Sequence, residues 1–121
     1  MKRNVEMNDT LGERIADVKQ EVKERFDEIV KENPDYDSED IYQEIVDSIS
    51  EIVDSITPIY NNEIDDLYYL YGYELEEAYN NAGCYNEQPN NYRQVCIYLY
   101  LEERAYKYFR ELQTEFELTH E

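Results

Sequence analysis

Apolar residues recur at helical spacing through almost the whole chain, and no stretch sustains the period-two alternation of a strand. Leu11, Ile15, Val18, Val22, Phe26 and Ile29 fall at i, i+4, i+7, i+11, i+15 and i+18, which is one stripe of a helix. Thr10-Leu11-Gly12-Glu13 has the form of a capping box and places the helix start at Thr10. Asn33-Pro34 ends it, because the residue before a proline is pushed out of the helical region. Residues 10–32 are therefore expected to form an amphipathic helix with a mixed, near-neutral outer face.

A second helix is expected from Asp37 or Ser38 to Ile56. Either residue can cap it, and Glu39 and Asp40 suit its positive N-terminus. Ile41, Ile45, Ile49, Ile52 and Ile56 form its apolar face. Thr57-Pro58 breaks the chain, and Pro58 reads as the first residue of a third helix that Gly72 ends after Tyr71. A short segment, YELEEAYNNAG, stops at Gly83, and CYNEQPNN is a loop by its Asn and Pro content. Asn91-Tyr92-Arg93-Gln94 is a second capping box, opening a long helix over 91–118. Its buried stripe is expected at Tyr98, Leu101, Ala105, Tyr108, Leu112 and Phe116, with Phe109 beside it. The fold class is all-α, a single compact domain of four to five helices with an acidic outer face.

The acidic face emerges when charge is laid on these helices. Around the second helix, at about 100° per residue, Asp40, Glu44, Asp47, Glu51 and Asp54 fall within an arc of roughly 80° opposite the isoleucines. They cover about 21 Å of axis, one charge every ~5 Å. Like charges at these spacings destabilise a helix, and an ordinary surface would place a lysine among them. The stretch DYDSEDIYQEIVDSISEIVD contains none. The exclusion extends further. Residues 1–31 carry eight acids and seven bases, whereas 32–92 carry sixteen acids and no Lys or Arg. Average composition would place roughly seven basic residues in such a window. A/T-rich codons would explain the many Asn and Tyr but would enrich Lys as well. Salt adaptation would acidify every surface, yet the first and last helices are close to neutral.

The total charge of −19 on 121 residues opposes binding to nucleic acid or anionic membranes and favours a basic partner. No apolar run is long enough for a membrane span, and MKRNVEMNDT has no apolar segment behind its basic start. Cys84 and Cys96 are too few to staple a fold and are expected as reduced thiols.

Chemistry-bearing motifs are sparse. Asp35-Tyr36-Asp37-Ser38-Glu39-Asp40 begins like a calcium loop, but Asp40 and Val46 stand where that loop needs Gly and Glu. His120 is the only histidine, and neither cysteine has partners at zinc spacing. There is no Gly-rich phosphate loop and no nucleophile–histidine set. Neither an enzyme nor a cofactor is expected. The fourteen tyrosines include Tyr60, Tyr68, Tyr69, Tyr71 and Tyr73 in the middle and Tyr98, Tyr100, Tyr106 and Tyr108 on the last helix. They fit core and rim packing or a protein interface.

A physical use for unbroken negative charge exists. B-DNA is a rod of dense, regular charge, and its binding proteins grip it largely through Lys and Arg. A rigid helical scaffold with acids on its outer face offers those side chains the same target. One lysine in the stripe would repel such a groove.

The chain also resembles the Ocr family of phage antirestriction proteins over roughly residues 35–118. The resemblance lies in DYDSEDIYQEIVDSISEIVDSITPIY, then a Tyr-rich acidic middle, then the closing helix VCIYLYLEERAYKYFRELQTEFE. It implies an all-α DNA mimic, a homodimer, that fills the DNA groove of a type I restriction–modification enzyme in the cytoplasm of an infected bacterial host. The implied phosphate mimics are Asp40, Glu44, Asp47, Glu51 and Asp54. Asp35, Asp37 and Glu39 stand before them, and Glu63, Asp65, Asp66, Glu74, Glu76 and Glu77 continue the surface. Residues 10–32 lie outside the resemblance. The alternative is an acidic interaction module, such as an anti-CRISPR protein, antitoxin or adaptor, that binds one basic partner through shape.

Overall fold

The second helix forms where its sequence predicts. In a computed structural model, which describes residues 2–83 and 89–119 and only the backbone of 2–10, α2 runs Ser38–Ile56. Asp37 caps it. Its carboxylate accepts the Asp40 backbone N–H at 2.9 Å, and the Asp40 carboxylate faces the Asp37 N–H at 3.4 Å. Ile41, Ile45 and Ile49 are fully buried, with Ile52 and Val53 beside them, while Ile56 is half-buried. Each such side chain contributes about 1.5–3 kcal/mol on burial. The helix ends at Thr57, held extended (ψ 131°) by the proline that follows. Thr57 returns both its N–H and its hydroxyl to the Val53 carbonyl.

The other elements differ from the sequence reading in instructive ways. The first helix, α1, runs Lys2–Glu32, so it passes through Thr10 instead of starting there. No proline or glycine lies between Lys2 and Thr10, and nothing forces the chain to enter the helix at the threonine. The C-terminal end is as expected, with Asn33 donating its N–H and its side-chain amide to the Ile29 carbonyl. Leu11, Val18, Val22, Phe26 and Ile29 are buried and Ile15 is half-buried.

The third helix, α3, runs Asn61–Asn81. Pro58 is not its first residue. That proline is buried in the turn and its carbonyl accepts Gln94 Nε2 at 2.9 Å, so the turn is fixed to the last helix. Gly72 does not end α3 either. The helix bends at Tyr71 (φ −126°, ψ 25°) and continues, so the expected third and fourth segments form one kinked element. Tyr68 donates its hydroxyl to Glu76 across the bend. In a straight helix these residues would be separated by about 12 Å of axis. Gly83, at φ 79°, closes the helix as its position predicts.

The last helix, α4, runs Tyr92–Thr119. Asn91 precedes it and its carbonyl accepts the Val95 N–H at 3.0 Å, but the side-chain exchange of a capping box is replaced. Asn91 donates to the Gln94 side chain at 3.3 Å, and Gln94 spends its amide on Pro58. The buried spine is Ile97, Leu101, Ala105 and Phe109, with Cys96 and Tyr100 beside it. Tyr98, Tyr108, Leu112 and Phe116, expected inside, are half-buried. The reason is that α4 packs against all three other helices and so buries a wider face than one stripe.

α1 and α4 form the central pair. α2 and α3 each pack against both, and do not touch one another. Phe109 of α4 meets Phe26 near the end of α1 and Tyr42 near the start of α2, with centroids 6.1 and 5.8 Å apart. At the opposite end Arg14 of α1 donates to the Ile56 carbonyl, so α2 runs antiparallel to its neighbours. The result is an all-α single domain, with no strand among the described residues.

Candidate functional site

The capped, buried α2 turns its opposite face to solvent. Asp40, Glu44, Asp47, Glu51 and Asp54 are all exposed, as are Asp35, Asp37 and Glu39 before and at the helix start. Four ion pairs join described residues: Arg14–Glu63, Lys23–Asp27, Arg25–Glu28 and Arg93–Asp65. None involves α2. Among the described residues, the one basic side chain bonded to this helix, Arg14, binds its terminal carbonyl instead of its stripe. A cation at a helix C-terminus is favourable in its own right. Tyr36 lies at the edge of the stripe and lines, with Asp40, Gln43, Glu44 and Asp47, a shallow hollow of about 300 Å³.

The α3 acids are placed differently. Asp65, Asp66, Glu74, Glu76 and Glu77 are exposed and Glu63 is half-buried. Because α2 and α3 share no packed face, these acids form a second flank joined to the first at the Thr57–Tyr60 turn. They are also partly engaged within the chain. Glu63 sits 3.4 Å from Arg14, Asp65 sits 3.0 Å from Arg93, and Glu76 receives the Tyr68 hydroxyl. Asp66, Glu74 and Glu77 carry no ion pair among the described residues. The hydrogen bond to the Glu76 carboxylate, and burial after it, push the Tyr68 phenol up to about 12. Burial also raises its neighbour Tyr92, helped by a hydrogen bond to Cys96.

One contributor was not legible in the sequence. Ser38 donates to Glu117 at 2.7 Å, and Gln113 donates to the Ser38 carbonyl at 3.2 Å. The end of α4 is thereby docked on the start of α2, and exposed Glu117 joins the acidic surface there. The partners are 79 residues apart, so no local pattern announces the contact.

Other chemistry is thin. Cys96 is buried with a free thiol, pushed up by burial, and hydrogen-bonded to Tyr92. Cys84 and His120 lie outside the described residues. Among the described residues no group of three or more His, Cys, Asp or Glu converges as a metal site, and no helix is long and apolar enough to cross a membrane. A groove of about 670 Å³ between α3 and the start of α4 runs along Ile59, Asp65, Tyr68, Glu76 and Arg93. Comparison with protein-family models, curated proteins and solved structures finds no match.

Proposed function

We propose that this protein is a DNA mimic that occupies the DNA-binding groove of a host-defence enzyme, a type I restriction–modification enzyme before others. The observation that carries the reading is the α2 stripe, five exposed carboxylates on a capped, core-packed helix with no ion pair to relieve them among the described residues. Such a face lowers the stability of its own helix and gains nothing inside the chain. A partner whose groove is lined with Lys and Arg recovers that cost, because those cations find fixed anions without displacing a duplex.

Charge density tests the fit. One strand of DNA presents a phosphate every ~3.4 Å of axis. The stripe presents a carboxylate every ~5 Å, about two-thirds of that density. Asp35, Asp37, Glu39 and Glu117 add charge at one end of α2, and Asp66, Glu74 and Glu77 add a flank beyond the turn. The proposed surface therefore includes the α2 stripe and its neighbours, with Glu63, Asp65 and Glu76 contributing less because Arg14, Arg93 and Tyr68 already engage them. The protein acts without catalysis or cofactor and does not itself bind nucleic acid.

The test is a titration of the protein against DNA cleavage by a type I restriction–modification enzyme, repeated with added non-cognate duplex and over a salt series. A mimic is displaced by any duplex and its affinity falls steeply with salt. Affinity that ignores both duplex and salt would sink the reading. It would favour the second one, an acidic adaptor that binds by shape, for which the exposed Tyr69 and Tyr73 speak.

A further inference from the structure

The acidic stripe does not account for α3. Among the described residues seven large apolar side chains are exposed, and Ile59, Tyr60, Tyr69, Leu70 and Tyr73 all lie on α3 or the turn that leads into it. Tyr69 and Tyr73 are 85% and 78% exposed, one helical turn apart, on either side of the bend at Tyr71. With Leu70 they present on the order of 400 Å² of surface, the size of the largest patch on an ordinary monomer. Exposed Asp66 precedes them, and exposed Glu74 and Glu77 follow. An aromatic centre with a charged rim has the layout of a protein interface.

We propose that this face docks a basic amphipathic helix of the partner protein, an apolar stripe on Tyr69, Leu70 and Tyr73 with Lys or Arg against Asp66, Glu74 and Glu77. Charge complementarity chooses the occupant. A second copy of this chain would bring the same three carboxylates against their own kind, and like charges across an interface are costly. The backbone of α3 is bonded within its own helix, so it offers no edge to an extended strand. A helix laid against the helix needs only side chains, and flanking cations on it meet the rim. The proposal rests on the reading of a basic partner and adds a short-range anchor to it. The α2 stripe attracts over distance and is screened by salt, whereas aromatic burial is not.

Two dye-labelled probes separate these contributions. One is a peptide of Leu and Lys with the leucines on one helical face, and the other is poly-lysine of equal charge. In fluorescence anisotropy the native chain is expected to bind the Leu–Lys peptide about tenfold more tightly, the effect of one well-placed aromatic anchor. The Tyr69→Ala/Tyr73→Ala double variant should lose that tenfold advantage and keep its affinity for poly-lysine. Asp47→Lys/Glu51→Lys should weaken both probes alike. Hydrogen exchange on the native chain supplies a readout that needs no variant, with the Leu–Lys peptide protecting residues 66–77. Equal affinity of the native chain for both probes, a double tyrosine variant that keeps the advantage, or protection confined to α2 would overturn the proposal. Failure of the mimic reading shows elsewhere, in the restriction titration, where duplex DNA would not compete.

Discussion

α1 and α2 lie side by side, antiparallel, and bury comparable stripes of Ile, Val, Leu and Phe against the same α4. Their outer faces differ entirely. On α1, Lys23 pairs with Asp27 at 2.9 Å and Arg25 with Glu28 at 3.8 Å. These are the i,i+4 and i,i+3 pairs of an ordinary solvated helix. On α2 every charged residue is Asp or Glu. The fold thus contains its own control, because one helix shows what this chain does with a surface that has only to be wet. The second departs from that pattern while keeping the same core, so packing does not account for its charge.

Making α2 resemble α1 should have the largest effect. Asp47→Lys with Glu51→Lys is expected to lower inhibition of a type I restriction–modification enzyme by at least about a hundredfold, while circular dichroism stays helical. Two lysines would repel a cationic groove where two carboxylates were attracted, and close charge pairs couple by about 1.5–7 kcal/mol. The same variant should gain roughly 0.3 kcal/mol for each like-charge pair it relieves, measured by urea unfolding. Inhibition that survives would mean the stripe is not the active surface.

Next in size is the Asp37 cap of α2. Asp37→Ala removes the acceptor of the Asp40 N–H and is expected to cost about 1 kcal/mol in urea unfolding. An unchanged midpoint would show that the helix start is held by Gln113 and Glu117 instead. Making α1 resemble α2, by Lys23→Glu with Arg25→Glu, is expected to leave inhibition unchanged within about twofold. Enhanced inhibition would extend the active surface onto α1.

The smallest effect concerns a carboxylate outside both faces. Burial raises Glu102 above its ordinary 4.5. Its folded form holds the proton more tightly than the unfolded chain does, so its contribution to stability falls as pH rises from the ordinary value through the raised one. Thermal melts of Glu102→Gln should show a flatter dependence than the native chain as pH rises from the ordinary 4.5 of a Glu carboxyl. Parallel curves would mean that solvent reaches Glu102 freely.

The helical class, the α1 and α2 cores, a cap at Asp37 or Ser38, the Asn33-Pro34 stop, the Gly83 stop and the exposed acids of α2 are all local matters. Periodicity, capping and backbone restriction act over four or five residues, so the sequence determines them without reference to the rest of the chain. Thr10, Pro58, Gly72 and the Asn91–Gln94 pair have the same kind of local signature but took other roles. Each start or stop signal competes with packing: Pro58 and Gln94 satisfy one another across 36 residues, and Tyr68 and Glu76 bridge the bend where Gly72 is expected to end the helix. The tertiary structure alone decided that, among the described residues, the acids of α2 stay without an ion pair while Glu63 and Asp65 are engaged, that Glu117 joins the surface, and that Tyr69 and Tyr73 face solvent while Tyr79 and Tyr100 are buried. Those outcomes depend on which helices touch, and contacts between residues distant along the chain leave no periodic trace within it.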